Sequence, residues 1–328
     1  LGMVGGFMSQ SVVTPEIDGA IRTQTVFALR KDRNGLLHTY AVPERLETFL
    51  QSGEAHMGLR RKPNSEKRLA IVYYKGPGQG NLTASGMDVA TSLYATLTNL
   101  KAHGYNVSGL PATLDAFRRE IDAEGSLFNA FAEGDADRFM QKAHPQMVTA
   151  AEYKQWTAAS LREDDAKAID EQFGLFPGDN NRLQRNGMLA IPRLVYGNVV
   201  LLPQPLAGEG KDIFRITHGT GVVPPHSYVA PYLWLQYGFK ADALLHFGTH
   251  GSLEFTPQKQ VALSQSDWPD RLVGSLPHFY YYTIDNVGEA MIAKRRSYAT
   301  MLTYLTPPMH ESQLRNTFKL NKSIINLV

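Results

Sequence analysis

Short unbroken apolar runs, each ended by a glycine- or proline-rich bend, constrain this chain more than any other feature. L-A-I-V-Y-Y (69–74) is continuous, β-branched and aromatic, the composition of a strand covered on both faces. K-G-P-G-Q-G-N (75–81) follows as a loop. Residues 87–105 then place Val89, Leu93, Leu97 and Leu100 at helical spacing, and Gly104 ends the run. Y-N-V-S-G-L (105–110) reads as the start of a further strand. Strand, glycine loop, helix and strand make a βαβ unit. The pattern returns at 188–192, 196–203 and 241–247, with a helix expected over 224–239 between the last two. The expected fold class is therefore α/β, with open, mostly parallel sheets, flanking helices and βαβ units. Two lobes are expected, because 328 residues exceed one ordinary core.

The expected division has three parts. Residues 1–68 form an opening α/β segment and linker, with a strand near 25–29, an amphipathic helix over 44–50 and a basic stretch R-R-K-P-N-S-E-K-R (60–68). Residues 69–175 hold the βαβ unit followed by a helical region, where alternating charge over 112–172 suits exposed helix faces. Residues 176–328 form a second α/β lobe. Its run G-E-A-M-I-A-K-R-R-S-Y-A-T-M-L-T-Y-L (288–305) reads as a helix stopped by Thr306, Pro307 and Pro308.

The second lobe carries the chemistry. A-L-L-H-F-G-T-H-G-S-L-E-F (243–255) runs from an apolar strand into a glycine-rich bend bearing His246, His250 and Glu254, and strand ends of this kind are where open α/β sheets bind ligands. Histidine and glutamate both exchange protons near neutral pH and bind metals. The cluster can hold a metal ion or relay protons. The plain structural alternative is a turn histidine with a capping carboxylate. Five of the ten histidines lie between 218 and 278, among them His218 in I-T-H-G-T-G and His226 in P-P-H-S-Y. K-R-R-S-Y (294–298) is a basic helix face, although arginine forks also suit carboxylates. P-H-F-Y-Y-Y-T (277–283) is an aromatic strand, more often core than a platform for a flat ligand.

Composition excludes several classes. With 33 basic and 31 acidic residues, the net charge of +2 offers nothing to nucleic acid or an acidic membrane. No apolar run is long enough to span a bilayer. There is no cysteine, so any metal must be held by nitrogen and oxygen ligands. Neither a dinucleotide fingerprint nor a P-loop is present, since the 75–81 loop lacks the terminal G-K-[ST]. If ATP is used, another protein must hydrolyse it. The cytoplasm is the expected compartment.

Several blocks in order resemble the large subunit of the tetrapyrrole metal chelatases, the cobaltochelatase CobN and magnesium-chelatase H group. They are P-E-I-D-G-A-I (15–21), R-R-K-P-N-S-E-K-R-L-A-I-V (60–72), S-G-M-D-V-A-T-S-L-Y (85–94) and R-L-V-Y-G-N-V (193–199). Longer ones are A-D-A-L-L-H-F-G-T-H-G-S-L-E-F-T-P-Q-K-Q-V-A-L-S (241–264), W-P-D-R-L-V-G-S-L-P (268–277) and D-N-V-G-E-A-M-I-A-K-R-R-S-Y-A-T-M-L-T-Y-L-T-P-P (285–308). The resemblance is weakest from about 112 to 185. It implies a segment of a longer subunit that binds the tetrapyrrole, inserts cobalt or magnesium, and relies on separate AAA+ ATPase subunits. By that resemblance His246, His250 and Glu254 are candidate metal ligands and proton acceptors. His218 and His226 are second-rank contacts, and Arg295 and Arg296 are candidate partners of ring carboxylates. T-P-Q-K-Q (256–260) and F-Y-Y-Y-T-I-D-N (279–286) also look like homologues that accompany haem uptake and are implicated in removing iron from haem. A tetrapyrrole-binding carrier without catalysis is the alternative of a different class.

Overall fold

The structure is a computed structural model that describes residues 6, 9–74, 82–84, 87–125, 139–141, 143–179, 181–205, 223–249, 251–282 and 287–303. The 75–81 loop, His218 and His250 lie outside the described residues.

The apolar runs form one central sheet. Its strands are β1 (Leu69–Tyr73), β2 (Leu194–Tyr196), β3 (Val199–Pro203), β4 (Ala243–Gly248), β5 (His278–Tyr282) and β6 (Thr300–Leu302). Their spatial order is β6-β5-β4-β1-β3-β2. All neighbours are parallel except β2 and β3, which pair antiparallel. β1 therefore lies at the centre, between strands that come more than a hundred residues later, and the sheet joins residues on both sides of the division at 175. Every residue of β3 is buried, as are four of five in β1. That agrees with runs covered on both faces.

Side-chain alternation sorts the two cores. Ala70, Val72, Val200, Leu202 and Leu244 face the helix His226–Leu233, seven of whose eight residues are buried. Ile71, Tyr73, Val199, Leu201 and Phe247 face the helix Val89–Ala102 through Val89, Leu93 and Leu97. Asp88 caps that helix by accepting from the Thr91 N–H at 3.1 Å, and Gly104 leaves it with φ +80°. Outside the central sheet lie a hairpin, Phe27–Lys31 with Leu37–Ala41, and a three-stranded antiparallel sheet of Gln146–Val148, Met188–Ile191 and Gln184–Arg185.

Three expectations are corrected. Residues 105–110 form a turn, not a strand; only Val107 in that stretch is buried, so there is no apolar run to pair. The strand expected over 196–203 occupies Val199–Pro203, the second arm of a hairpin with Leu194–Tyr196 whose bend holds Gly197 at φ +57°. The helix expected over 288–305 ends at Arg296. Tyr298 turns left-handed at φ +57°, and Thr300–Leu302 add a parallel strand beside β5. Pairing of 300–302 with β5 outweighs the helical spacing there.

Candidate functional site

β4 carries the first expected residue. His246 lies two residues before the end of the strand, on the same face as Leu244, with Val72 and Tyr280 as its register partners. The Tyr280 ring stacks on the imidazole with centroids 4.7 Å apart and planes at 18°. His278 opens β5 opposite Leu244, one pleat back from His246 on the same face. The two rings meet edge on, with His246 Nδ1 2.7 Å from His278 Nε2. His278 Nδ1 is 2.6 Å from the carbonyl oxygen of Ser297.

The other nitrogen of His246 faces the covering helix. Nε2 is 3.1 Å from the Tyr232 hydroxyl. Gln204, the residue after β3, donates its amide to Tyr232 at 3.4 Å and to the Ser252 hydroxyl at 2.9 Å. Ser252 shares a further hydrogen bond with Tyr228. Each of these partners is buried or half-buried, so a polar layer runs between sheet and helix inside an apolar core. Such a layer is tolerated only when its members are satisfied.

Glu254 occupies the short helical turn Leu253–Phe255 and is fully buried. Its carboxylate accepts from the Gly251 N–H at 2.9 Å and from the Tyr280 hydroxyl at 2.7 Å. No cation bonds to it among the described residues. Arg296 lies below, but its guanidinium donates to the carbonyls of Glu254, Thr256, Pro257 and Lys259. Tyr280 thus joins the two motif residues: its ring lies on His246 and its hydroxyl bonds Glu254.

Burial pushes the Glu254 pKa up to about 7, only partly offset by its hydrogen bonds and the distant Arg296 charge. Burial and the neighbouring His278 ring hold His246 well below its usual range. Burial pushes His278 down to about 3, helped by the Arg22 charge and opposed by the Ser297 carbonyl. At neutral pH the histidines are therefore uncharged, and Glu254 is the group poised to exchange a proton.

The remaining expected residues lie elsewhere. His226, at the start of the helix carrying Tyr232, is bonded to the Tyr153 hydroxyl at 3.1 Å and the Gly174 carbonyl at 2.9 Å. Arg295 pairs with Glu16, 2.9 Å from Nη2 to Oε2. Among the described residues no three histidine, aspartate or glutamate side chains converge as a metal-binding group. Tyr232 and Gln204 were not singled out from the sequence, and His278 and Tyr280 were read there only as part of the histidine-rich stretch 218–278 and the aromatic strand 277–283. The available signals were a histidine opening an aromatic strand, a tyrosine pair four apart on a helix, and a glutamine directly after a buried strand.

A sequence profile described as CobN/Magnesium Chelatase matches residues 1–326. The chloroplastic magnesium-chelatase subunit ChlH of Oryza sativa subsp. indica is 38% identical over 319 residues, covering 96% of this chain and 22% of that protein. The aerobic cobaltochelatase subunit CobN of Pseudomonas aeruginosa is 32% identical over 314 residues, covering 93% and 24%. A solved structure, the catalytic subunit of cobaltochelatase from Mycobacterium tuberculosis, superposes with a TM-score of 0.77 at 30% identity, over 99% of this chain and 28% of that one. The chain thus spans about a quarter of the length of the relatives it matches. Among the described residues no helix is long and apolar enough to cross a membrane.

Proposed function

The chain belongs to the CobN/magnesium chelatase family, and we propose that it forms the part of a chelatase large subunit where a divalent ion and two pyrrole protons are exchanged on a tetrapyrrole. ATP is hydrolysed by separate AAA+ subunits, and the setting is cytoplasmic. The observation that carries this reading is Glu254: a fully buried carboxylate with no bonded cation among the described residues, its pKa raised to about 7, and hydrogen-bonded to the tyrosine that lies on His246.

Insertion forms four metal–nitrogen bonds and breaks two N–H bonds, so two protons must leave and a base is needed beside the ring. Glu254 takes the two protons one after the other and gives each up to water. His246, neutral, offers a lone pair in the protonation state that metals and N–H groups require. His250, next to the Gly251 that bonds Glu254, is proposed as a metal ligand with His246 and Glu254, and His218 as a ring contact. Arg295 can meet a ring carboxylate by exchanging Glu16 for it. Arg296 holds the floor of the Glu254 turn through its carbonyl bonds. His226, with both ring nitrogens engaged, is assigned no part in the exchange. The same groups run in reverse would protonate pyrrole nitrogens and release iron from haem.

The test uses the intact large subunit with and without its ATPase partners. It is offered cobalt with a cobyrinic ring, magnesium with protoporphyrin, and haem. His250→Ala and Glu254→Gln are expected to keep tetrapyrrole binding and lose metal exchange. Loss of binding and exchange in equal measure favours a carrier.

A further inference from the structure

We propose that His278 is a positioning residue: it holds His246 as the tautomer that carries its proton on Nδ1 and presents a bare Nε2 lone pair towards Tyr232 and the turn at 251–254. The functional consequence rests on the reading above; the tautomer itself does not.

The direction of the hydrogen-bond chain follows from its end. A carbonyl oxygen only accepts. The bond between Ser297 O and His278 Nδ1, at 2.6 Å, therefore requires a proton on Nδ1. Ser297 is locked at the end of the helix Val287–Arg296. Its N–H donates to the Ala293 carbonyl at 3.0 Å and its hydroxyl to the same oxygen at 2.7 Å. The next residue, Tyr298, turns away at φ +57°. A neutral imidazole with a proton on Nδ1 has only a lone pair on Nε2. His246 Nδ1, 2.7 Å from that lone pair, must then be the donor. His246 Nε2 is left bare, and the Tyr232 hydroxyl donates to it at 3.1 Å. Gln204 completes the chain by donating its amide to Tyr232 and Ser252.

His278 is neutral in this arrangement. No carboxylate is bonded to it among the described residues, and it is 1% exposed. Its ring is surrounded by His246, Tyr280 and the Ser297 carbonyl.

The tautomer decides which side of His246 is the Lewis base. With His278 in place, an incoming divalent cation or N–H competes for Nε2 with the Tyr232 hydroxyl, its partner among the described residues. Without an acceptor at Nδ1, the proton moves to Nε2, where it donates to Tyr232. The lone pair then points along the sheet towards β5, away from the turn.

The experiment labels the histidines of the intact large subunit with 15N and reads the His246 ring nitrogens, assigned by their loss in His246→Gln. The native protein is expected to show protonated Nδ1 and bare Nε2. The reverse pattern in the native protein overturns the proposal without any variant having to fold. His278→Gln places an amide oxygen as acceptor opposite Nδ1 and is expected to keep the pattern; His278→Leu is expected to reverse it. In metal exchange, His278→Leu should lose at least tenfold in kcat with little change in KM, and His278→Gln should recover most of it. Unchanged nitrogen signals in His278→Leu overturn the positioning role. Correct tautomers with no exchange activity under any condition leave the positioning intact and count against the chelatase reading alone.

Discussion

Tyr280 donates its hydroxyl to Glu254 across 2.7 Å, and this bond, the backbone N–H donors and the charge of Arg296 only partly offset the full burial of that carboxylate. The folded pKa therefore stands at about 7 against 4.5 for the free side chain. A raised pKa means that the folded state holds its proton more tightly than the unfolded chain. The associated stability is fully present below pH 4.5 and is lost as pH rises through 7. The shift is worth about 3 kcal/mol. Glu254→Gln keeps the size and accepts from the Gly251 N–H through its amide oxygen, its amide nitrogen donates to the Tyr280 hydroxyl in place of accepting from it, and it cannot ionise. We expect it to match the native protein at pH 5 after a constant offset and to gain about 3 kcal/mol on it by pH 9. Denaturant melts across this range check it; parallel stability curves would refute the assignment.

The same titration separates the two directions of metal exchange. Insertion needs Glu254 ionised, so its kcat is expected to rise with pH through about 7. Removal needs the proton and is expected to fall over the same interval. Glu254→Gln should lower both rates and flatten both profiles. Measuring kcat for insertion and removal between pH 5.5 and 8.5, in buffers that do not bind the metal, decides this.

His246 and His278 shift the opposite way and make the fold sensitive to acid. Both pKa values lie below the free value of 6.5, His278 at about 3. The stability they represent is present above pH 6.5 and is lost as pH falls towards the folded values. Each costs about 1.4 kcal/mol per pH unit below 6.5, and Glu254 returns about the same amount between 7 and 4.5. The net from these three groups is a loss of about 1.4 kcal/mol per unit. His278→Gln is expected to shed one histidine's share, so its stability should fall less steeply than that of the native protein between pH 6.5 and 4.5. Chemical melts at pH 7, 6 and 5 test this.

Residues 69–74 and 241–247 announced the central parallel strands because their apolar character is local and continuous. Their order was not legible. Nothing in L-A-I-V-Y says that it will lie between 199–203 and 243–248, since register and order depend on pairing over long separations. The site was half legible for the same reason. His246 and Glu254 fall in one stretch of chain, whereas His278, Tyr280, Tyr232 and Gln204 come from three other elements and meet them only once the sheet and its covering helix are packed. Arg296 resembled a surface cation in sequence, yet it is 3% exposed because four backbone carbonyls converge on it.

Arg45 anchors the N-terminal helix Pro43–Arg61 to the second half of the chain. Its guanidinium grips Asp270 at 2.6 and 2.9 Å, both side chains are nearly inaccessible, and Tyr298 donates to the same carboxylate at 2.7 Å. Removing one partner of a buried pair leaves a charge without compensation and costs about 3–5 kcal/mol. Arg271 also bonds Asp270, so the cost of Arg45→Met is expected near the lower figure. Asp270→Asn, which removes the carboxylate that both arginines share, should cost more. Urea melts of both variants rank them, and the reverse order would show that Arg45 stabilises the fold mainly through contacts other than Asp270.

Two glycines beside His246 are expected to fail in different ways. Gly248 has φ +131°, and a Cβ there would stand 2.8 Å from Tyr74 Cβ and 3.1 Å from Ala84 Cβ. Both are anchored to backbone and cannot withdraw. Gly248→Ala therefore adds strain of about 1–2 kcal/mol to overpacking of about 1–3 kcal/mol, and the loss should appear in stability. At Gly251 a Cβ would meet the Gln204 amide oxygen and the Tyr280 hydroxyl, each at 3.0 Å, and His246 Cδ2 at 3.4 Å. Side-chain ends give way more easily than backbone. The displaced hydroxyl, however, is the one that bonds Glu254. Gly251→Ala is expected to keep its melting temperature within a few degrees of native, a change of under about 1 kcal/mol, while metal exchange falls by an order of magnitude or more. Thermal melts set beside exchange rates for the two variants distinguish a packing glycine from one that keeps the proton-exchanging carboxylate in register.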